Sequence, residues 1–513
     1  MRPDRSLERS ASGRPTLTRG LSKVLKRALV AVLATLVFLF IAINLAALPE
    51  PSALPAPARS AVTVITDANV VDPRGDGAVA HGQMVVVVGN RIVFVGADGS
   101  RPIPEGARVI PGSRRYLMPG LWDSHVHTLR LSPQLHFPLL IANGVTSVRD
   151  MGDTCSWSGS TDCEPATPRW RTQIQRGELT GPRIIETVSH HLESAPKDDA
   201  ELGALIETLR RRGERFLKIQ LDDQVSPQVF ARIMRVADEK GFTVSGHIPF
   251  TVDLADASHL LGSIEHDSSL LPQCSDFRAQ FDGRNRSKAA LVAAMSGSRC
   301  QRVLDDLARH GVVYVPTHIA STGQDAAFSS GATTAVAGLA QRYVVAPQRW
   351  VWALIRSAGK EGPDEQKVLI DFHQAALRLT KQAHEAGVVV LAGSDALDAD
   401  VIHGFGLHQE LRNLVAAGMT PAQALSAATV GPAKAFGMES QLGVIEPGML
   451  ADMVLLDANP LLDIRNTRRI SAVIADGRVY GEPERAMALR FVEDQSHRIS
   501  VIARFVRGIW LVR

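Results

Sequence analysis

The sequence predicts an α/β chain built on a (β/α)8 barrel, with a small composite β-sandwich assembled from both flanks and an apolar helix ahead of it. Three observations carry this. Between residues 117 and 395, eight short apolar runs alternate with longer amphipathic stretches, the pattern of strand–helix units joined in parallel. The polar residues that bear chemistry fall just after those runs, where barrel strands end. The 513 residues, 45% of them hydrophobic, suffice for one large core with appendages.

Residues 1–27 hold eight Lys or Arg against two acidic residues, and residues 28–48 follow without a charge. As a helix the second stretch would be about 30 Å long, the thickness of a bilayer core. It predicts a basic cytoplasmic segment and a transmembrane anchor that leaves the catalytic domain on the periplasmic or extracytoplasmic side. A cleaved signal peptide is the rival reading. Residues 49–59 are Pro-rich, an extended linker. The four cysteines, Cys155, Cys163, Cys274 and Cys300, form no Cys-x-x-Cys pair and fit an oxidising compartment. Of three possible pairings, 155 with 163 and 274 with 300 would each staple one loop. A net charge of +3 and 5% aromatic residues give no surface for nucleic acid.

Residues 60–116 read as Val- and Ile-rich strands with a hairpin turn at Gly89-Asn90, and residues 440–483 repeat the pattern with Asp476-Gly477. These two stretches are expected to pair. The barrel, residues 117–439, takes its strands from 117–127, 145–149, 183–187, 216–220, 243–247, 263–266, 312–317 and 388–395. Residues 227–240 form an amphipathic helix, and Thr420-Pro421-Ala422-Gln423 has the residues of a capping box. The connections after His266 and Thr317 are long and should contain helices. The tail, 484–513, is apolar and basic; it either rests on a membrane or packs on the barrel.

The run ending Asp123-Ser124-His125-Val126-His127 puts two imidazoles on one side of a strand, half of a zinc site. His247, His266 and Asp395 close three other runs and are candidate ligands; Lys218 closes a fourth. An ammonium has no lone pair, so Lys218 serves as a salt-bridge cation, as a nucleophile, or as a CO2-derived carbamate that bridges two metals. One or two Zn2+ in such a cage would acidify water and polarise a carbonyl, with Asp395 moving the proton. Asp123 and Glu265 are expected outside the pocket. Arg149, His190, Gln220 and His318 follow or end strands and are candidate substrate contacts, Arg149 for a substrate carboxylate.

The ordered motifs LMPGLWDSHVH (117–127), GVTSVRDMGD (144–153), FLKIQ (216–220), VSGHIP (244–249), SIEHD (263–267), LAGSDA (391–396), LHQELRNLVAAGMTPAQALSAAT (407–429) and GVIEPGMLADMVLLDANPL (443–461) resemble the amidohydrolase superfamily. The likeness is to the branch of imidazolonepropionase-like proteins and Xaa-Pro dipeptidases with a carboxylated lysine. It implies a metallo-dependent hydrolase barrel. His125, His127 and Asp395 would hold one Zn2+, His247 and His266 a second, and carboxylated Lys218 would bridge them, with other divalent metals possible. Dipeptidase relatives tend to have small residues and glycines after the lysine, where this chain has Gln220-Leu-Asp-Asp-Gln224, so a pocket wall differs and the resemblance does not by itself imply prolyl specificity.

The resulting expectation is a binuclear zinc hydrolase that cleaves an amide or peptide-like C–N bond of a small dipeptide or N-acyl amino acid. A lactonase, esterase or deaminase on the same metal barrel, and a silent binding module, remain open. Substrate identity and oligomeric state are not legible.

Overall fold

The computed structural model describes residues 17–156, 163–221, 225–254, 258–280, 287–324, 332–358 and 363–511. Most of the basic N-terminal segment, and Asp222 to Gln224 after the lysine strand, lie outside the described residues. A helix spans Leu17–Ala46.

The strands, in chain order, begin with β1 (Val62–Asp72), β2 (Ala78–Val88), β3 (Arg91–Ala97), β4 (Arg108–Pro111) and β5 (Tyr116–Pro119). Next come β6 (Leu121–Val126), β7 (Val145–Asp150), β8 (Arg183–Thr187), β9 (His191–Leu192), β10 (Phe216–Gln220), β11 (Thr243–His247), β12 (Leu261–Glu265), β13 (Val313–Val315) and β14 (Val389–Val390). The last three are β15 (Met453–Leu456), β16 (Ile470–Ala475) and β17 (Arg478–Tyr480).

The two flanks pair, with Met118 of β5 opposite Val454 of β15 in antiparallel register. They form one eight-stranded sheet, ordered β17-β16-β15-β5-β1-β2-β3 with β4 on β1, not two separate layers. The reason lies in β1. It bends at Asp67, whose φ is 51°, beside two register shifts against β2, and its two halves pair with β4 and β5 in turn. The bent sheet closes over its own core of Ile65, Val85, Leu117, Met453 and Ile474.

β6 to β14 are parallel, in the orders β6-β7-β8 and β14-β13-β12-β11-β10-β9. β8 and β9 are consecutive pieces of one chain segment. Beyond β14, the backbone of residues 391–396 runs beside β6: Ser124 N–H donates to Ala392 O, Asp395 N–H to His125 O, and His127 N–H to Ala396 O. Helices pack over these strands by their apolar faces. The helix Pro227–Glu239 buries Phe230, Ile233, Met234 and Ala237 and starts at Ser226, whose hydroxyl accepts the Val229 N–H. Thr420 and Gln423 form a reciprocal capping box. The connection after β13 folds into four helices among the described residues.

The expected first barrel strand, 117–127, is instead two strands, β5 in the flank sheet and β6 in the parallel one. They part at Gly120, where a Cβ would sit 2.1 Å from the Thr146 hydroxyl. Disulfides join Cys155 to Cys163 and Cys274 to Cys300. The tail packs on the fold: Val501 and Phe505 of the helix Ile499–Leu511 are buried with Leu131, Leu135 and Val345.

Gly120→Ala should therefore destabilise the fold by about 1–3 kcal/mol through overpacking. Thr146→Ala in the same chain should recover part of that loss, read as a coupling in urea-unfolding midpoints.

Candidate metal centre

Six residues, from the ends of β6, β10, β11 and β12 and from the segment after β14, converge. His125 and His127 lie two apart and project to one side. His125 Nε2 is 3.3 Å and His127 Nε2 3.2 Å from Asp395 Oδ1. His266 Nδ1 is 3.6 Å from Asp395 Oδ2. The His266 ring centroid lies 4.7 Å from that of His125 and 4.6 Å from that of His247. Lys218 is buried among them, and its Nζ has no hydrogen-bond partner among the described residues.

The backbone sets this convergence. His266, Thr317 and Asp395 have φ of 70°, 47° and 57°, a left-handed region that non-glycine residues seldom enter outside over-determined sites. At His266 the turn breaks strand alternation, so Glu265 and His266 both reach inward. Glu265, expected outside the pocket, sits directly behind the site. Its Oε2 lies 2.8 Å from His125 Nδ1. A carboxylate there accepts the Nδ1–H hydrogen bond and so leaves the Nε2 lone pair on the side of Asp395. Asp123, also expected outside, is buried and accepts the Ser394 N–H and hydroxyl at 2.8 and 2.6 Å, which braces the residue before Asp395. Burial pushes its carboxyl up to about 7.

Arg149 does not face a substrate. Its guanidinium is buried and donates to Glu186, Ser245, Ser263 and Glu265. Burial opposes the Glu265 charge, but Arg149 and His125 outweigh it and hold that carboxyl well below its usual range. His318 is also spent on structure. Its two ring nitrogens bond Asp267 and Thr380, and its backbone N–H donates to Glu410, all in the interior. Of the His190-His191 pair, His191 is the one that reaches the site. It sits on β9 in register with Lys218, its ring centroid 6.1 Å from that of His127, and bonds the Met151 carbonyl. Extending the 183–187 run through the His-His dipeptide would have revealed it. Gln220 is exposed at the end of β10, opposite His247. Thr317, unremarked in the sequence, lies 2.7 Å from His266 Nδ1.

Burial depresses His125 to about 3 and lowers His247 and His266 as well, so these imidazoles are neutral lone-pair donors. Burial opposes the Asp395 charge, but His125, His266 and His127 hold it ionised. Burial also lowers Lys218, to about 8, against the pull of Glu265 and Asp395. The donor set fits a divalent ion. Two ligand atoms about 2.0–2.1 Å from a tetrahedral Zn2+ lie about 3.4 Å apart, close to the separations from Asp395 to the two imidazoles. The His125, His127 and Asp395 donor atoms all lie within 4.8 Å of one another.

The comparisons with known proteins agree with this architecture. The bottromycin amidohydrolase structure superposes with a TM-score of 0.64 at 20% identity, over 86% of this chain and 91% of that one. A Xaa-Pro dipeptidase with bound methionine in its active site gives 0.58 at 20% identity, over 82% and 100%. Ochratoxinase from A. niger gives 0.56 at 18%, over 83% and 97%. Among curated sequences, an adenine deaminase of Ruegeria pomeroyi is 22% identical over 404 residues, 78% of this chain and 54% of that protein. Adenine deaminase 3 of Rhizobium meliloti is 39% identical over 51 residues, 10% of this chain and 9% of that protein. The chain spans about half the length of the Ruegeria pomeroyi adenine deaminase that it matches. The profile described as Amidohydrolase family matches residues 116–480, nearly three quarters of the sequence, and the chain belongs to that family.

Proposed function

We propose that the protein is a binuclear zinc hydrolase of an amide or peptide-like C–N bond, on a dipeptide or N-acyl amino acid. In this reading residues 117–439 act as one eight-stave barrel, the two parallel sheets joined through residues 391–396, with 60–116 and 440–483 as the flanking unit. The observation that carries it is Lys218: a buried amine without a hydrogen-bond partner among the described residues, facing neutral imidazoles and an ionised carboxylate. A bare ammonium there would be costly. Addition of its neutral amine to CO2, with loss of a proton, turns it into an anionic carbamate that can bridge two ions. His125, His127 and Asp395 would hold one ion and His247 and His266 the other.

Divalent ions, when bound, supply acidified water and a polarised carbonyl. The chain supplies the rest. Glu265 orients His125, and Thr317 orients His266. Asp395, ionised and 8% exposed, would accept the proton of the attacking water and return it to the leaving nitrogen. A second reading, hydrolytic removal of an amino group from a purine-like ring, is favoured by the sequence likeness to adenine deaminases. Both break a C–N bond, so substrate decides between them.

The export reading rests on the span Arg27–Ala46, 20 residues of mean hydropathy 2.7 with an exposed apolar stretch, and on two disulfides, which suit an oxidising compartment. We read them as a membrane anchor with the site on the extracytoplasmic side.

The decisive experiment is metal content and turnover of the full chain, purified with zinc and bicarbonate. Two ions per chain and hydrolysis of N-acyl amino acids or dipeptides are expected; ammonia release from adenine with no peptide-type turnover would favour the deaminase. Lys218→Ala should lose at least one ion and more than ~100-fold in activity, and full metal content in that variant would remove the bridge. Asp395→Asn should lower kcat by about 10²–10⁴-fold, measured at saturating substrate on protein with its metal content checked.

A further inference from the structure

The helix Ala346–Ala358 is apolar on both faces. Its inner face seats Trp352 against Leu139, Tyr343 and Ile402. Its outer face exposes Trp350 (65%), Val351 (38%), Leu354 (48%) and Ile355 (45%). These four lie at i, i+1, i+4 and i+5, one continuous stripe of a helix. An aromatic anchor in an aliphatic stripe of this size marks an interaction surface rather than scatter.

What covers it follows from its neighbours. The helix packs on Ile499–Leu511, and that helix packs in turn on the end of the apolar N-terminal helix. The joint is fixed. Ala47 is buried, and the Arg504 guanidinium donates to the Leu48 and Pro49 carbonyls. The span therefore leaves the globular fold at a set place, beside the exposed stripe. Leu45, Leu48 and Ile499, each more than half exposed, extend apolar surface at that same joint. The C-terminal helix also carries Arg504 and Arg507 and no carboxylate, which suits anionic headgroups.

We infer that the outer face of residues 346–358 docks on the surface of an anionic phospholipid bilayer, next to the membrane span. Trp350 sits at the headgroup level and Leu354 and Ile355 enter the acyl boundary. The inference rests on the reading of Arg27–Ala46 as a membrane anchor. Docking bears on the site, because the same helix holds the Asp395 loop through the Arg356–Asp400 ion pair.

The test uses the full chain in vesicles of phosphatidylcholine and phosphatidylglycerol that carry a shallow spin-labelled lipid. An environment-sensitive fluorophore is placed at Leu354→Cys, at Leu39→Cys in the span, and at Leu462→Cys, an exposed residue on another surface. Each variant is first checked for an unchanged unfolding midpoint. Loss of most of the fluorescence at positions 354 and 39, but not at 462, is the expected result. Quenching at 39 with a bright, water-like signal at 354 overturns the docking and leaves the anchor standing. No quenching at either position overturns both. A blue-shifted but unquenched signal at 354, fading as protein is diluted into excess lipid, assigns the stripe to a second copy of the chain and also overturns the proposal.

Discussion

The buried pair of Arg149 and Glu265, 2.9 Å apart, is the interaction on which the rest of the centre depends. Arg149 leaves β7 and donates to Glu186 on β8, Ser245 on β11 and Ser263 and Glu265 on β12. Glu265 then holds His125 at the end of β6. Five strands from both parallel sheets thus meet in one hydrogen-bonded set. Removing either partner would leave an unpaired charge in the interior, a loss of roughly 3–5 kcal/mol. In the proposed reading the pair also bears on function, because an ionised Glu265 would fix the imidazole tautomer that a metal ligand needs. A feature that reads as stability is therefore the same feature that points His125 Nε2 toward Asp395.

This explains what the sequence could and could not disclose. The residues at strand ends were legible because ligand chemistry and strand periodicity both leave local marks: His-x-His, an isolated Lys, an Asp that closes an apolar run. The capping box at Thr420 and the short-range disulfides were legible for the same reason. The roles of Arg149 and Glu265 were not, because a pairing across 116 residues leaves no local mark, and an arginine at a strand end reads equally as a substrate clamp. Glu265 was misplaced because strict alternation was applied up to His266, where a left-handed backbone suspends it. Asp123 was misplaced by the same rule misapplied, since it lies two residues from His125 and shares its side. His190 was preferred to His191 because the strand was ended too early.

The division of one apolar run into β5 and β6 links the flank sheet to the site. Gly120 N–H donates to the Asp452 carbonyl. The Asp452 side chain accepts the Asp476 N–H at 2.6 Å and pairs with Arg183 of β8 at 2.8 Å, and Arg183 also reaches Asp476. The end of β5, the start of β15 and the turn between β16 and β17 are therefore locked to the parallel strands by charge as well as by backbone pairing. The flanking unit fixes where β6 begins, and so where His125 and His127 end up.

The approach of Asp395 to two imidazoles needs one more condition, met at Gly393. A Cβ there would lie 2.5 Å from a Val315 methyl, 2.8 Å from the His125 Cβ and 3.0 Å from its backbone nitrogen. Only a residue without a side chain lets residues 391–396 lie that close to β6. Ser394, captured by Asp123, then fixes the next peptide, and the left-handed turn at Asp395 swings its carboxylate back over His125 and His127. Backbone strain of about 1–3 kcal/mol at such a residue persists only when its surroundings over-determine it. Here the surroundings are a glycine contact on one side and a buried aspartate–serine bond on the other. The cost is offset by packing and hydrogen bonds in the surrounding strands, which hold the Asp395 carboxylate against the two imidazoles.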